Sequence, residues 1–359
     1  MKKDLKIAVC VMAGGIGERF WPLSRSMRPK QLLAIAGEKT MLRETINRHA
    51  SFASPEDIYI VTNGDQAVLI ENEISELPKG HVIAEPCGKN TAPCVALAAA
   101  LLYAEDPESV MVVVSADHHI PDVDNYRETI LDAVALAERD RYLVTIGIVP
   151  RYPETGYGYI KAQDEIAVQG KTKCYTVSRF LEKPALPVAE ELYKTPGVFW
   201  NAGMFVFKTA DILKAFEKYM PESSRELKAI IEKAGTEEER LAIENYYRVV
   251  GKISIDNAVM EKADNVAICA ATFQWNDVGS WTSASVHWPK DGAENRLKGE
   301  VKLMDTENCI VGNYAPGVIG VIGLKDVVIV RTGDATLVCA KDKVQDVKKL
   351  LSGLDEKYR

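Results

Sequence analysis

Five consecutive positions, Val110-Met111-Val112-Val113-Val114, present no polar face. A strand that is apolar on both sides has to be covered on both sides, which places it inside a sheet with helices packed on each face. The rest of the first half agrees. Ile7 to Met12, Ile58 to Thr62 and Tyr142 to Ile148 are further short apolar runs, and helical segments separate them around Thr40 to His49, Gln66 to Glu76, Thr91 to Ala104 and Tyr126 to Arg139. Strands and helices in alternation require crossover connections and predict an α/β fold with a largely parallel sheet. In such sheets ligands gather at the carboxyl ends of the strands.

A basic, glycine-bearing loop lies in that position after the first strand. Val11 to Gln31 holds three glycines, Gly14, Gly15 and Gly17, and four cations. Glycines let backbone N–H groups approach phosphate oxygens, and Arg19 and Lys30 can neutralise the charge those oxygens carry, so a nucleoside triphosphate is the first candidate ligand. Taken alone, a Gly-Gly-x-Gly run is also an ordinary tight turn. Two other phosphate motifs fit poorly: no Gly-Lys-Ser/Thr closes the loop, and Pro22 and Pro29 keep it irregular where a dinucleotide fingerprint would open a helix.

At 359 residues the chain predicts one large domain with a smaller appendage, divided here as 1–288 and 289–359. Fifty-one acids against 44 bases give a net charge of −7, which argues for solubility and against a general nucleic-acid surface. The seven cysteines (10, 87, 94, 174, 269, 309 and 339) form no CxxC pair, so reduced thiols in a cytoplasm are expected, not a disulfide framework or a zinc site. Met1-Lys2-Lys3-Asp4 leads straight into a strand, and no apolar run approaches the ~20 residues of a membrane span.

The middle third is mixed. Tyr157 to Ala162 and Lys173 to Phe180 predict strands, and Val198 to Phe207 predicts two more around an Asn201-Ala202-Gly203 break. Helices follow from Ala210 to about Tyr247, with charges alternating in sign as on a solvated face. After Trp288-Pro289-Lys290-Asp291-Gly292 come short apolar runs, Cys309 to Val311, Val318 to Ile322, Val327 to Val330 and Thr336 to Cys339, separated by Gly, Asn or Asp. These predict a small β coil or sandwich. A last helix carrying Val344, Val347, Leu350, Leu351 and Leu354 serves packing, within the chain or against a second subunit.

Several residues stand where chemistry could use them. Asp117 follows the apolar strand Val110 to Val114 and suits a magnesium ion, which takes one or two carboxylates plus substrate phosphates; Asp also commonly caps a following segment. His118 and His119 would point to opposite faces of a strand, which disfavours zinc. Asp277 lies in a turn-like segment, Trp275 to Trp281, and Glu182 and Lys183 end a strand at Pro184. Gly156 and Gly158 could let a ligand lie against backbone, and the Asn201 amide can both donate and accept. Glu85 to Pro93 precedes a helix that is apolar nearly all round, with Thr91 as its expected cap.

Together these strings resemble the sugar-nucleotide pyrophosphorylases. Ala13-Gly14-Gly15, Gly17, Arg19, Ser24-Arg25 and Pro29-Lys30 match the family's loop signature, and Trp21-Pro22-Leu23-Ser24-Arg25 is similar to the mannose-1-phosphate guanylyltransferase version. The resemblance extends over about residues 7 to 340 through separated motifs. It implies a Rossmann-like nucleotidyltransferase domain (GT-A-like, with a mixed, mainly parallel sheet) followed by a left-handed β-helix fragment. It implies that Ala13, Gly14, Gly15 and Gly17 cover the triphosphate, and that Arg19 and Lys30 hold the phosphates that leave as pyrophosphate. Asp117 and Asp277 would hold Mg²⁺. Lys183 would hold the sugar phosphate, with Gly158, Glu182, Asn201 and Asp256 on the sugar and Glu261 a further contact. Glu85, Asn90 and Thr91 would serve the base, with Lys89 standing where relatives carry Arg; Lys gives a point charge in place of a planar fork.

The reaction so implied is GTP plus mannose 1-phosphate giving GDP-mannose and pyrophosphate, by in-line attack on the α-phosphorus. The sugar phosphate is already an oxyanion and needs no general base, so alignment and charge neutralisation carry the catalysis. A homodimer with no nucleic-acid or membrane partner is expected. Larger relatives carry an isomerase module after this region, and a single activity is expected here. Two other readings fit the same strings: a pyrophosphorylase for another pair, such as glucose 1-phosphate with UTP or dTTP, and a regulatory subunit that binds nucleotide sugar without catalysis.

Overall fold

The computed structural model describes residues 5–359, so the Met1-Lys2-Lys3-Asp4 lead lies outside the described residues. In chain order the elements begin with β1 (Ile7–Met12), α1 (Met41–His49), β2 (Ile58–Asn63), α2 (Gly64–Glu73), β3 (Val82–Glu85), α3 (Thr91–Glu105), β4 (Val110–Ser115), α4 (Val123–Asp140) and β5 (Leu143–Ile148). There follow β6 (Tyr159–Ile166), β7 (Cys174–Leu181), α5 (Leu186–Leu192), β8 (Val198–Lys208), α6 (Thr209–Tyr219), α7 (Ser224–Lys233), α8 (Glu239–Val249) and β9 (Val266–Ala270). The last part holds α9 (Trp281–Ser285), β10 (Arg296–Lys298), β11 (Val301–Met304), β12 (Ile310–Asn313), β13 (Ile319–Ile322), β14 (Val327–Arg331), β15 (Thr336–Ala340) and α10 (Val347–Leu351).

The chain divides into two compact units. The first takes in the chain up to Gly14 with Arg48–Ser115 and Ile120–Trp275. Its nine-stranded sheet runs β3-β2-β1-β4-β8-β5-β9-β7-β6. β1 is parallel to β2 and β4, and Val9 faces Ile58 on one side and Val112 on the other. β8 enters antiparallel to β4 and β5, which makes the sheet mixed. The all-apolar β4 is buried from Val110 to Val114, as a strand covered on both faces must be.

β8 corrects one expectation. It is a single strand of 11 residues, with no break at Asn201-Ala202-Gly203. The irregularity appears as a register shift against β5 between Thr145 and Gly147, with Gly203 at φ 65°. A bulge absorbs an extra residue and turns a side chain without ending the strand. α3 is apolar all round because it packs on β1 and β2 and also against α6 and α7. Ala92, Ala96, Ala98, Ala99 and Ala100 are all sealed, and overfilling such a seam costs about 1–3 kcal/mol.

The second unit consists of Gly15–Asn47, Ala116–His119 and Asn276–Arg359. Three strands stack in parallel like the coils of a β-helix, Arg296 on Ile310 on Val328, while β11 pairs with β13 and β15 closes antiparallel on β14. Asp305, Asn308 and Asp326 take positive φ at the turns, a conformation that short polar side chains tolerate. β10 and β11 escape the sequence pattern, since Arg296, Lys298 and Lys302 mask their apolar alternation. The last helix is also shorter than its apolar spacing predicts: Lys341–Asp346 is a 3₁₀ turn, and Leu350 is exposed while Val344, Val347 and Leu351 are buried.

The basic loop belongs to this unit and is held by an aromatic core in which Phe20, Trp21, Leu33 and Ile35 pack with Trp281 and Trp288. Trp281 Nε1 donates to the Trp21 carbonyl at 3.2 Å and Trp288 Nε1 to that of Ile35 at 3.0 Å. An irregular loop without a ladder must satisfy its backbone by such contacts. Among the described residues no helix is long and apolar enough to cross a membrane.

Candidate active site

In the second unit, one buried amine ties together three of the residues singled out from sequence. Lys30 Nζ donates to Asp117 Oδ2 at 2.7 Å and to the Asp277 backbone carbonyl at 2.8 Å. The Lys30 side chain is 5% exposed, so this pair is far less screened than a surface salt bridge. Asp117 reaches this position as the second residue of the short crossing that ends in a bridge to the Asp277 segment. His119 N–H donates to the Asn276 carbonyl at 2.9 Å, and Asn276 N–H returns to His119 at 3.1 Å. The Asp277 carboxylate accepts from Gly279 N–H at 3.2 Å. Asp117 is no helix cap: α4 is capped by Asp122. Asp117, with a positive charge already seated on its carboxylate, and Asp277, whose main chain the same amine touches, supply the hard carboxylate oxygens that Mg²⁺ takes.

The glycine loop supports the same amine. Gly17 has φ 74°, and a Cβ there would lie 2.3 Å from Lys30 Cβ, so only glycine lets the loop and Lys30 approach so closely. Arg19, by contrast, is exposed, as are Gly14 and Gly15. Ala13 is buried, with its N–H on the Val61 carbonyl at 2.8 Å and its own carbonyl accepting from the Thr62 hydroxyl at 2.9 Å.

In the first unit, Gly158, Glu182, Lys183, Asn201 and Asp256 come together. A Cβ on Gly158 would lie 2.6 Å from Glu182 Oε2 and 3.3 Å from Asn201 Cβ, so the missing side chain leaves room for the carboxylate. Lys183, at φ 47°, pairs with the Glu182 carboxylate, and Glu182 N–H donates to Glu261 Oε1 at 3.0 Å. The Asn201 carbonyl oxygen accepts from the Thr145 hydroxyl at 2.9 Å and from Gly203 N–H at 3.2 Å. That fixes the amide orientation, and its NH₂ donates to Asp256 Oδ1 at 2.8 Å. Asp256 opens a π-helical turn, Asp256–Met260, a form found often at functional sites. Burial, with Glu182 nearby, pushes its carboxyl up to about 6.

A second group in the same unit lies at the end of β3 and the start of α3. Glu85 is 7% exposed, and burial pushes its carboxyl up to about 7 against the opposing effect of a hydrogen bond from Tyr247, whose hydroxyl is 2.6 Å from Glu85 Oε1. The cap of α3 is Asn90, not Thr91: at φ 70° its side chain accepts from Thr91 N–H at 2.9 Å. The Thr91 hydroxyl instead accepts from Ile255 N–H at 2.9 Å. Lys89 Nζ donates to the Val250 carbonyl at 2.7 Å, so its amine steadies the 250–255 segment. Sequence reasoning missed Thr145 and Tyr247; a Thr inside a buried strand and a Tyr in a charged helix carry no local signal.

Comparison with known proteins bears on the family. The Nucleotidyl transferase family matches residues 8–287, and the MannoseP isomerase/GMP-like beta-helix domain matches residues 299–354. A putative mannose-1-phosphate guanylyltransferase of Vibrio cholerae is 36% identical over 355 residues, covering 97% of this chain and 74% of its own. The mannose-1-phosphate guanylyltransferase of Escherichia coli is 36% identical over 357 residues, with the same coverage. The alginate biosynthesis protein AlgA of Pseudomonas putida is 36% identical, covering 97% and 72%. Among solved structures, a Thermus thermophilus protein described as mannose-1-phosphate geranyltransferase superposes with a TM-score of 0.86 at 32% identity, covering 97% of this chain and 99% of that one. The α/β sheet, the β-helix-like coils and these matches establish that the chain belongs to the nucleotidyl transferase family.

Proposed function

We propose that this protein transfers GMP from GTP to mannose 1-phosphate, forming GDP-mannose and pyrophosphate. The observation that carries the reading is similarity over 97% of the chain to mannose-1-phosphate guanylyltransferases. The residue groups described above supply what such a reaction needs. Gly14, Gly15 and Gly17 receive the triphosphate on backbone N–H groups, and Ala13, whose own N–H is held by the Val61 carbonyl, anchors the start of that loop. Arg19 and Lys30 stabilise the pyrophosphate as it leaves. Lys183 holds the phosphate of mannose 1-phosphate so that its oxyanion faces the α-phosphorus in line. Gly158, Glu182, Asn201 and Asp256 take the sugar hydroxyls, and Glu85, Asn90 and Thr91 the base.

Asp117 and Asp277 are the residues that would hold Mg²⁺. Bound there, the ion would act as a Lewis acid that offsets charge on the reacting phosphates. Lys30, which now neutralises Asp117, would then be released to the departing phosphates. No side chain needs to act as a base, because the attacking oxygen is ionised at neutral pH.

The same reading includes a cytoplasmic setting and a homodimer. The seven free cysteines support the first, and the exposed Leu350 on α10 is consistent with the second. Light scattering on the intact chain reads the mass directly. For the activity itself, GTP, mannose 1-phosphate and MgCl₂ are incubated with the protein and the products separated by anion exchange; GDP-mannose is expected, and its absence while GTP is intact overturns the reading.

A further inference from the structure

Of the four cations in the basic loop, Arg19, Arg25, Arg28 and Lys30, the proposed reaction uses the first and the last. Arg25 is turned onto the protein: its side chain is 16% exposed and lies over the Trp21 ring, 5.6 Å from guanidinium carbon to ring centroid. That ring is itself fixed, because Trp21 Nε1 donates to the Tyr358 carbonyl at 2.7 Å. One guanidinium nitrogen donates to the Pro22 and Ser24 carbonyls, the latter at 3.1 Å. The other donates to both oxygens of Asp334, at 3.2 and 3.3 Å. Asp334 lies on the turn between β14 and β15, where the Thr332 hydroxyl aims its carboxylate by donating to Oδ1 at 2.9 Å. Thr332 first, and the Arg25 charge after it, hold that carboxyl below the usual carboxylate range, so it faces the guanidinium ionised at neutral pH.

The backbone of Arg25 stands where the loop doubles back. Arg25 N–H donates to the Arg28 carbonyl at 3.0 Å, and Arg28 N–H returns to Arg25 at 2.9 Å. Two residues later, Lys30 N–H is held by the Ile16 carbonyl at 3.0 Å. On the other side of Arg25, the Ser24 hydroxyl donates to the Gly17 carbonyl at 2.8 Å, and Gly17 is the residue whose missing side chain admits Lys30. Arg25 thus sits between the two connections that place Lys30, one through Ser24 to Gly17 and one through Arg28 along the chain. We propose that Arg25 is a positioning residue for the departing phosphates: clasped by Asp334, it sets the turn that carries Lys30, and it does not itself bind phosphate. The inference rests on the guanylyl-transfer reading and goes beyond it by assigning Asp334, a residue of the β-helix-like region, to the nucleotide side of the reaction. An exposed ion pair adds little to stability, yet a shift of about 1 Å in a catalytic group costs about a hundredfold in rate. Lysine would not substitute for Arg25, since an ammonium lacks the planar fork that donates to several acceptors at once and stacks on an aromatic face.

The test compares wild type, Arg25→Ala, Asp334→Ala and the double variant by kcat/KM for GTP and by KM for mannose 1-phosphate, at a temperature well below the melting point of each. Arg25→Ala should lower kcat/KM for GTP by about a hundredfold, and Asp334→Ala by about threefold to fivefold. KM for mannose 1-phosphate should stay within about twofold in both. The double variant should be no worse than Arg25→Ala, because both changes open one clasp. A phosphate-binding Arg25 predicts the opposite sign: freed from Asp334, its guanidinium would bind GTP more tightly in Asp334→Ala. If Arg25→Ala does not fold, the sign of the Asp334→Ala effect decides. Unchanged or improved GTP kinetics in Asp334→Ala, equal losses for both substrates, or losses that multiply in the double variant overturn this proposal and leave the guanylyl-transfer reading standing. A wild-type protein that turns over no GTP overturns that reading, and this proposal with it.

Discussion

Lys30 Nζ and Asp117 Oδ2 are 2.7 Å apart, with the amine also resting on the Asp277 carbonyl at 2.8 Å. A cation so enclosed neutralises the Asp117 carboxylate, and under the proposed reaction it is the group that meets the departing phosphates. Lys30→Ala should therefore slow pyrophosphate release from GTP by about a hundredfold or more, the usual loss when one stabilising donor is removed. KM for mannose 1-phosphate should stay within about twofold, since that substrate is assigned to Lys183. Steady-state kinetics with each substrate varied in turn decides this, and unaltered GTP kinetics would refute the assignment.

Asp277 touches Lys30 through its backbone, not its carboxylate. Asp277→Asn consequently keeps the Lys30 seat and the fold while weakening the proposed metal ligand. Turnover should fall about a hundredfold or more, and the Mg²⁺ concentration for half-maximal activity should rise, with the melting temperature little changed. Asp117→Asn should share the kinetic loss and also melt lower, because it weakens the half-buried pair with Lys30. Titration of MgCl₂ together with thermal melts separates the two variants.

Gly158 makes a prediction about the sugar alone. A Cβ 2.6 Å from Glu182 Oε2 forces that carboxylate aside. Gly158→Ala should raise KM for mannose 1-phosphate by about tenfold, the equivalent of one strong hydrogen bond, with KM for GTP unmoved. Initial-rate measurements at saturating GTP check it.

Asp256, proposed above as a sugar contact, also bears on stability. Its folded pKa, about 6, lies above its ordinary value of 3.8, so the folded state binds the proton more tightly than the unfolded one. The contribution to stability is full below about pH 4 and is lost as pH rises toward 6. Asp256→Asn has no ionisation to suffer and keeps an acceptor for the Asn201 amide. Its melting temperature should exceed that of wild type at pH 8 by more than at pH 4.5, while its KM for mannose 1-phosphate rises. Equal differences at both pH values would show that Asp256 does not titrate as described.

Local strings were legible in the sequence because each carries its chemistry within a few residues. Val110 to Val114 announced a covered strand and Asp117 at its end. Gly17 and Lys30 marked a basic glycine loop, though not that the bare Gly17 lets Lys30 pass. What stayed hidden depends on distant partners. Tyr247 reaches Glu85 across 162 residues from a helix whose charges read as a solvated face. The Asn201 amide is aimed by a bulge that reads in sequence as a strand break, and the cap of α3 passed from Thr91 to Asn90 because the Thr91 hydroxyl is held by Ile255. The first two strands of the β-helix-like region stay hidden for a similar reason: the Lys298 amine donates to the carbonyls of Ala34 and Ile35, a contact that only the fold creates.

A pyrophosphate-release assay over GTP, UTP, dTTP, ATP and CTP crossed with mannose 1-phosphate and glucose 1-phosphate identifies the substrate pair. With MgCl₂ present, GTP and mannose 1-phosphate should release pyrophosphate with the highest kcat/KM of all pairs. Faster release from glucose 1-phosphate with UTP or dTTP, or no release from any pair, would rule out guanylyl transfer to mannose 1-phosphate as the activity.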